Sequence, residues 1–439
     1  MDIASLSPSC KGNVFQLIRF SVQNQARFLD YLWLMILLYR FSIALYVAAI
    51  RIASLFNAKA ALWVKGRKDW NLRLKNSGVS GHPVILFHCA SLGEFEMARP
   101  LMEWVKRERP AYKIVLSFFS PSGYEVRKDY ALADYVCYLP ADTPSNARNF
   151  AELLRPDIVV YAKYEFWHYF IQAFKTNGAR QYAVSSVFRE SHRFFKWYGG
   201  FFRKDLMCLD RIFVQDSHSK DLLNTIGIES EVAGDTRFDR VAVLAEQAID
   251  FPEIRNFAAG RRIIIAGSSW SPEEERITRV INDNRLKNVC WIFAPHDISP
   301  AHLSNLEEEL QVRHVRYSKF QPELDASVMI IDNIGMLMSL YRLADVAIIG
   351  GGFTGKLHNI LEPAAFGVPV LFGPKHHRFH EAREMITAGG AIEFNHDLAE
   401  RLDVLFKDQW QLQSMSNSAR KFVQQHIGAT KKIVESVFN

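Results

Sequence analysis

A carboxylate at a strand end, an arginine beside aspartates and a glycine run opening onto a helix are parts from which group transfer can be built. This chain carries all three. The glycine run lies between Gly350 and Pro374, GGGFTGKLHNILEPAAFGVPVLFGP. An apolar strand is expected before it at Asp345–Ile349 and another inside its far end at Val368–Phe372, with Asn359 and Glu362 on a helix between. Glycines at a strand end let backbone N–H groups approach a phosphate, and a helix N-terminus favours the negative charge. A carboxylate such as Glu362 can then accept from ribose hydroxyls. The pattern points to a nucleotide, and to a nucleotide sugar in particular; the competing reading is a tight turn with no ligand.

Further polar clusters fall at strand ends. In HCASLGE, His88 to Glu94, Gly93 permits a tight turn and Glu94 enters the first turn of a helix. A carboxylate there serves either as a general base or as an ordinary partner of the helix dipole. Lys163-Tyr164-Glu165-Phe166-Trp167 sets charge between a strand and an aromatic helix, as a ligand contact or as a solvated loop. In GDTRFDR, Gly234 to Arg240, Arg237 either reaches a phosphate or closes a salt bridge between domains. AGSSW, Ala266 to Trp270, and FAPHD, Phe293 to Asp297, repeat the strand-to-helix turn, with His296 either a donor to a phosphate or structural. DNIGML, Asp332 to Leu337, reads as a helix start with free N–H groups.

Such residues act together only if a scaffold gathers the strand ends. Strands are expected at Val84–His88, Tyr112–Ser117, Tyr135–Leu139, Ile158–Tyr161, Arg180–Ser185, Arg211–Gln215 and Glu231–Ala233. After Phe251-Pro252 they resume at Arg262–Ala266, Cys290–Ala294, Val312–Tyr317, Val328–Ile331, Val346–Ile349 and Val368–Phe372. Helical spacing separates most of them. The alternation predicts an α/β fold of parallel, doubly wound sheets. There are strands enough for two Rossmann-like domains facing a cleft, with ligands bound beyond the strands' carboxyl ends. Charge and proline replace periodicity near Val241–Ala259. The expected division is therefore an extension and anchor at 1–60, a first domain at 61–245 and a second at 246–439.

The composition, 49% hydrophobic and 23% charged, is that of a globular protein. A net charge of +6 permits an anionic partner but is too small to indicate nucleic acid. Cys10, Cys89, Cys137, Cys208 and Cys290 are scattered and read as reduced thiols. With no zinc or iron–sulfur spacing and no D-x-D, no metal is expected. Phe28 to Phe56 is apolar apart from Asp30, Arg40 and Arg51, and long enough to cross a bilayer. Arg40 opposes a span. Lys59, Lys65, Arg67 and Lys68 follow, which places the downstream part in the cytoplasm. The absence of A-x-A predicts an uncleaved anchor. It either spans the membrane, lies in its interface or packs on the first domain.

Taken in order, SLGE, KYEFW, GDTRFD, AGSSW, FAPHD, DNIGML and HNILEPAAFGVPVLFGP resemble the 3-deoxy-D-manno-octulosonic acid (Kdo) transferases of lipopolysaccharide assembly, glycosyltransferases of the GT-B type. With the basic segment Trp63 to Asp69, WVKGRKD, the resemblance runs from about Met35 to the C-terminus. It implies transfer of Kdo from CMP-Kdo to a sugar hydroxyl of a lipid A precursor of the lipid IVA type. The setting it implies is the cytoplasmic face of the inner membrane, with direct displacement and neither cofactor nor metal. By the family pattern Glu94 is the general base, and Glu165 and Arg237 stabilise the transition state, Arg237 facing charge on the departing CMP. Pro295, His296, Gly335, Met336, Leu337, Asn359, Ile360, Leu361 and Glu362 match the CMP-binding segments, with Glu362 the ribose contact.

Two positions depart from that pattern. Lys163 stands where many relatives are acidic, and Arg237 where many have lysine, which changes the geometry while keeping the charge. The loop Lys375 to His380, KHHRFH, either contacts a donor carboxylate or lipid phosphate, or is solvated. Two other functions remain open: a GT-B enzyme using a UDP-sugar, and a membrane-anchored nucleotide-binding scaffold without catalysis. The intact Glu94, Arg237 and Glu362 speak against the scaffold.

Overall fold

The computed structural model describes residues 31, 33–321 and 325–438; the extension through residue 30, Cys10 with it, lies outside them. Two compact units result. The first comprises Met1–Gly234 with Lys431–Asn439, the second Asp235–Thr430. This division and the one expected at 245/246 differ by the helix Thr236–Glu246. Phe238 and Val241 of that helix sit in the second unit's core, so it belongs there by packing.

In the first unit a parallel sheet is built from β1 Val84–Cys89, β2 Lys113–Phe118, β3 Tyr135–Tyr138, β4 Ile158–Ala162, β5 Arg180–Ser186, β6 Arg211–Val214 and β7 Glu231–Val232. Their order is β3-β2-β1-β4-β5-β6-β7. The chain winds outward from β1 in one direction and then from β4 in the other, so the order reverses between β1 and β4, which pair from Ile85↔Ile158 to His88↔Tyr161. In such sheets the crevice beyond that reversal is where ligands bind. β1 and β4 are buried along their whole length, as strands covered on both faces must be. The final helix, Ala429–Phe438, brings Ile433, Val434 and Val437 into this unit's core.

The second unit repeats the plan with β8 Arg262–Ser269, β9 Val289–Pro295, β10 His314–Arg316, β11 Val328–Ile330, β12 Val346–Ile349, β13 Val370–Phe372 and β14 Ala391–Glu393. The order β10-β11-β9-β8-β12-β13-β14 reverses between β8 and β12. β14 was not anticipated from the sequence. It is three residues long and follows a Gly-Gly pair, too short to display a period.

The apolar N-terminal segment forms a helix, Trp33–Ala53. One face lies against the first unit. The Tyr31 hydroxyl donates to the Tyr198 carbonyl (2.6 Å), the Tyr39 hydroxyl donates to Asp142 Oδ2 (2.5 Å), and Ile43 is 9% exposed. Tyr46 meets Trp63 and Phe119 ring to ring. The opposite face exposes Trp33, Leu37, Phe41, Leu45 and Ile52, spaced by four or seven residues along one stripe. Arg67, expected among the cations flanking the anchor, is instead packed inward. Its guanidinium lies 3.8 Å from the Trp63 ring centroid and donates to the carbonyls of Leu139 and Phe119 (both 2.8 Å). Burial lowers its pKa to about 9.

Candidate active site

In the first unit the loops leaving β1 and β4 flank the order reversal, and each carries one of the expected carboxylates. Glu94 lies in the first turn of the helix Leu92–Glu108. Its Oε2 accepts from the backbone N–H groups of Ala90 and, at 3.1 Å, Ser91, so the side chain folds back over the turn that produces it. Gly93, expected to permit a tight turn, lies inside that helix, and a Cβ added to it would meet nothing within 4 Å, so neither space nor backbone conformation demands glycine there. Both bonds to Glu94 fall on Oε2; among the described residues Oε1 has no hydrogen-bond donor. Glu94 therefore satisfies the helix start and keeps an oxygen available.

Burial raises the Glu94 pKa, the charge of Glu165 raises it further, and Lys163 and the two backbone bonds hold it back, leaving it at about 7. Glu165, on the loop after β4, is also raised by burial, against the opposing charges of Arg193 and Lys163. The charge of Glu165 thus disfavours ionisation of Glu94. Lys163, the departure from the family pattern, is the cation that tempers both. Its backbone is left-handed (φ 62°), a conformation costing about 1–3 kcal/mol in a non-glycine residue. It is held by its N–H to the Val184 carbonyl (2.9 Å) and by the Ser186 hydroxyl donating to its own carbonyl.

In the second unit the segments expected at the nucleotide gather at the ends of β8, β9 and β12. Trp270, His296 and His358 stack: Trp270 and His296 centroids are 4.4 Å apart at 29°, His296 and His358 4.5 Å apart at 34°. Trp270 Nε1–H donates to His358 Nε2 (3.0 Å). Burial, with the neighbouring His296, lowers the His358 pKa to about 4. His358 is thus neutral at pH 7, and a neutral ring accepting at Nε2 carries its proton on Nδ1. Neither Trp270 nor His358 was singled out from the sequence as a site residue. Each lies within a motif, but only the strand order shows that the motifs meet.

Asn359 Oδ1 accepts from Leu361 N–H (3.1 Å), and its Nδ2 donates to Glu362 Oε1 (3.1 Å). Asn359 therefore precedes the helix, which is only Leu361–Ala365, rather than lying on it as expected. Ile360 and Leu361 bury their side chains in the core and have only backbone to offer a ligand. The helix expected from Asp332 begins at Leu337, because Gly335 is left-handed (φ 105°) and Met336 caps it. Pro295 ends β9 and delivers His296, whose N–H donates to the Ser269 carbonyl (3.0 Å).

Three readings from the sequence change. The glycine run is closed by protein atoms. A Cβ on Gly350 would stand 2.0 Å from the Ser268 carbonyl oxygen and one on Gly352 2.3 Å from Gly373 N, so these glycines allow three backbone segments to touch. Nearby, the fully buried Glu273 carboxyl accepts from Phe353 N–H (3.2 Å), an acceptor already supplied by the chain. In the loop after β13, His376 is buried and bonded to Glu393 (2.8 Å), and His380 lies 3.1 Å from Glu384, so these two rings face carboxylates of their own unit. Arg237 is likewise paired: Nε and Nη2 donate to Asp235 Oδ2 (2.9 and 2.7 Å) and Nη2 to Glu381 Oε1 (3.0 Å). Burial works against its charge, but the two carboxylates outweigh it and raise its pKa. The bridge falls within the second unit and not between domains.

Residues 68–240 match the family model described as 3-Deoxy-D-manno-octulosonic-acid transferase (kdotransferase). Among curated proteins, the chain is 28% identical over 326 residues to the 3-deoxy-D-manno-octulosonic acid transferase of Chlamydia trachomatis serovar D, covering 70% of this chain and 74% of that one. It is 26% identical over 371 residues to the protein of that name from Haemophilus influenzae, covering 80% and 86%. Among solved structures, the UDP-GlcNAc 2-epimerase from Neisseria meningitidis bound to UDP-GlcNAc aligns with a TM-score of 0.56 at 15% identity, covering 81% of this chain and 99% of that one. At that identity the likeness concerns the fold alone, which is of the GT-B type with two parallel-sheet α/β domains.

Proposed function

We propose that this chain, a GT-B glycosyltransferase carrying the Kdo transferase family domain, moves Kdo from CMP-Kdo to a sugar hydroxyl of a lipid A precursor of the lipid IVA type. Glu94 removes the hydroxyl proton as that oxygen attacks the anomeric carbon of Kdo. The bond from that carbon to the CMP phosphate breaks, and CMP leaves with the electron pair. A base whose pKa lies near 7 is about half ionised at neutral pH and still basic enough to take the proton. That poise is the observation that carries the proposal. It comes from burial and from Glu165, with Lys163 limiting it.

Asn359, Glu362, His296 and the backbone at Gly335–Leu337 hold CMP, Glu362 at the ribose. Arg237 offsets charge on the departing phosphate, which then competes with Asp235 and Glu381 for the guanidinium. The displacement uses these protein groups, with no metal or cofactor assigned a step. The enzyme works on the inner membrane, its units on the cytoplasmic side. Contacts from Tyr31 to Tyr46 support a helix lying along the first unit in the interface, because a segment packed on a water-soluble unit over that length cannot also be wrapped by lipid. Trp197, next to the residue that receives Tyr31, is 91% exposed and supplies a further apolar ring for that interface.

The test is incubation in detergent with freshly generated CMP-Kdo and a tetra-acylated disaccharide acceptor, read by mass spectrometry. A mass increase of one or more Kdo residues is expected. A folded protein that makes no such product but transfers from a UDP-sugar would replace this reading with the UDP-sugar enzyme.

A further inference from the structure

A cavity of about 630 Å³ lies within the first unit, between the N-terminal helix and the loop that carries Glu165. Tyr39, Ile43 and Tyr46 of the helix form one wall; Glu165, Trp167 and Arg193 stand on the other. Its lining is mostly apolar, yet three polar groups in it lack ordinary partners. Arg193 donates to the Phe166 carbonyl (3.2 Å) and lies over the Phe202 ring (4.4 Å), with no carboxylate within 4 Å among the described residues. Trp167 Nε1 and His192 Nδ1 are buried without a hydrogen-bond partner. The Arg193 guanidinium, a cation with only a carbonyl and aromatic rings beside it among the described residues, fits an occupant with acceptor oxygens, and the two unmatched nitrogens belong to residues of the same lining.

We infer that this cavity is the acceptor's lipid subsite: its apolar wall receives one acyl chain, and Arg193, Trp167 and His192 take the adjoining phosphate or ester oxygens. The inference rests on the function proposed above and adds to it which surface reads the acceptor's chains. Two observations commit it to the acceptor rather than bulk lipid. The cavity shares Glu165 with the catalytic pair, so a chain seated there brings its sugar to the base. The helix walling it exposes its other face as the lipid-facing stripe, so a chain passes from bilayer to cavity along the same helix.

The experiment compares the tetra-acylated acceptor with the same bisphosphorylated disaccharide stripped of its chains, in wild type and Ser42→Trp. Ser42 lines the cavity from the helix, and among the described residues its hydroxyl donates within its own helix, to the Tyr39 carbonyl. Wild type should prefer the acylated acceptor at least tenfold in kcat/KM, and Ser42→Trp should cut that preference at least fivefold. Unchanged preference in the variant overturns the inference. A second measurement needs no turnover: an acceptor with brominated chains should quench Trp fluorescence, with the quenching reduced in Trp167→Phe. Equal quenching by brominated phospholipid assigns the cavity to bulk lipid and overturns it. Quenching by the acceptor without any transfer leaves the subsite and removes the proposed reaction; transfer without quenching does the reverse.

Discussion

The coupling of Glu94, Glu165 and Lys163 predicts opposite movements of one limb of the pH–rate profile. In wild type, kcat/KM for the acceptor should rise with pH and level off above about 7, the Glu94 pKa. At pH 6 such a group is about one-tenth ionised, and each pH unit of displacement is 1.36 kcal/mol. Glu165→Gln removes the like charge, so the limb moves down, bounded by the ordinary value of 4.5. A displacement of one unit would raise the ionised fraction at pH 6 about fivefold, to about a half. Lys163→Met removes the opposing cation, so the limb moves above 7. Plateau heights will fall too, since Glu165 is assigned a catalytic role, but the position of the limb is read from its shape. Stability supplies a second reading. A carboxyl whose folded pKa is raised favours the native state below pH 4.5 and loses that contribution as pH rises through 7. The elevation from 4.5 to about 7 corresponds to about 3 kcal/mol. Relative to Glu94→Gln, wild type should therefore lose up to about that much unfolding free energy between pH 4.5 and 8, measured by urea denaturation. If both charge variants leave the limb in place, or move it the same way, the limb belongs to another group and the reasoning fails.

Three other perturbations follow from the second unit. Arg237→Ala removes the cation that Asp235 and Glu381 share; with the arginine 21% exposed, the cost should be about 3 kcal/mol, the lower end for a broken buried pair, seen as a lower urea midpoint. Trp270→Phe keeps the ring stack but removes the donor that sets the His358 tautomer; CMP affinity should fall about fivefold by calorimetry, the equivalent of about 1 kcal/mol for one hydrogen bond, and an unchanged Kd would detach His358 from the nucleotide. Gly267→Ala would set a Cβ 1.8 Å from the Tyr341 hydroxyl and should destabilise by about 1–3 kcal/mol, with Tyr341→Phe restoring part of it; equal losses with and without that hydroxyl would contradict the proposed clash.

Much of the scaffold was legible because buried parallel strands are short apolar runs bounded by turns. VILFHC at β1 and RIIIAGSS at β8 announce themselves, and the resulting alternation predicts doubly wound sheets. Glu94 and Glu165 were legible as polar residues at strand ends, and the order reversal between β1 and β4 then explains why those two loops are neighbours. What failed depended on partners distant in sequence. Nothing near Gly350 signals that Glu273, far upstream on another helix, supplies a carboxyl to the turn after it. Arg67 looked like a flanking cation because its neighbours are basic, whereas its fate was set by Trp63 and two carbonyls more than fifty residues away. The Trp270–His296–His358 stack needed the strand order, since its three rings come from three strand ends.

The account turns on Glu94 acting as the base of a Kdo transfer. The most direct measurement is single-turnover formation of Kdo-bearing product by Glu94→Gln beside wild type, with CMP binding measured on both. The account predicts a rate about 10²–10⁴-fold lower in the variant with CMP affinity retained, the range for losing a general base. Product formed at the wild-type rate by a folded, CMP-binding Glu94→Gln protein would contradict it.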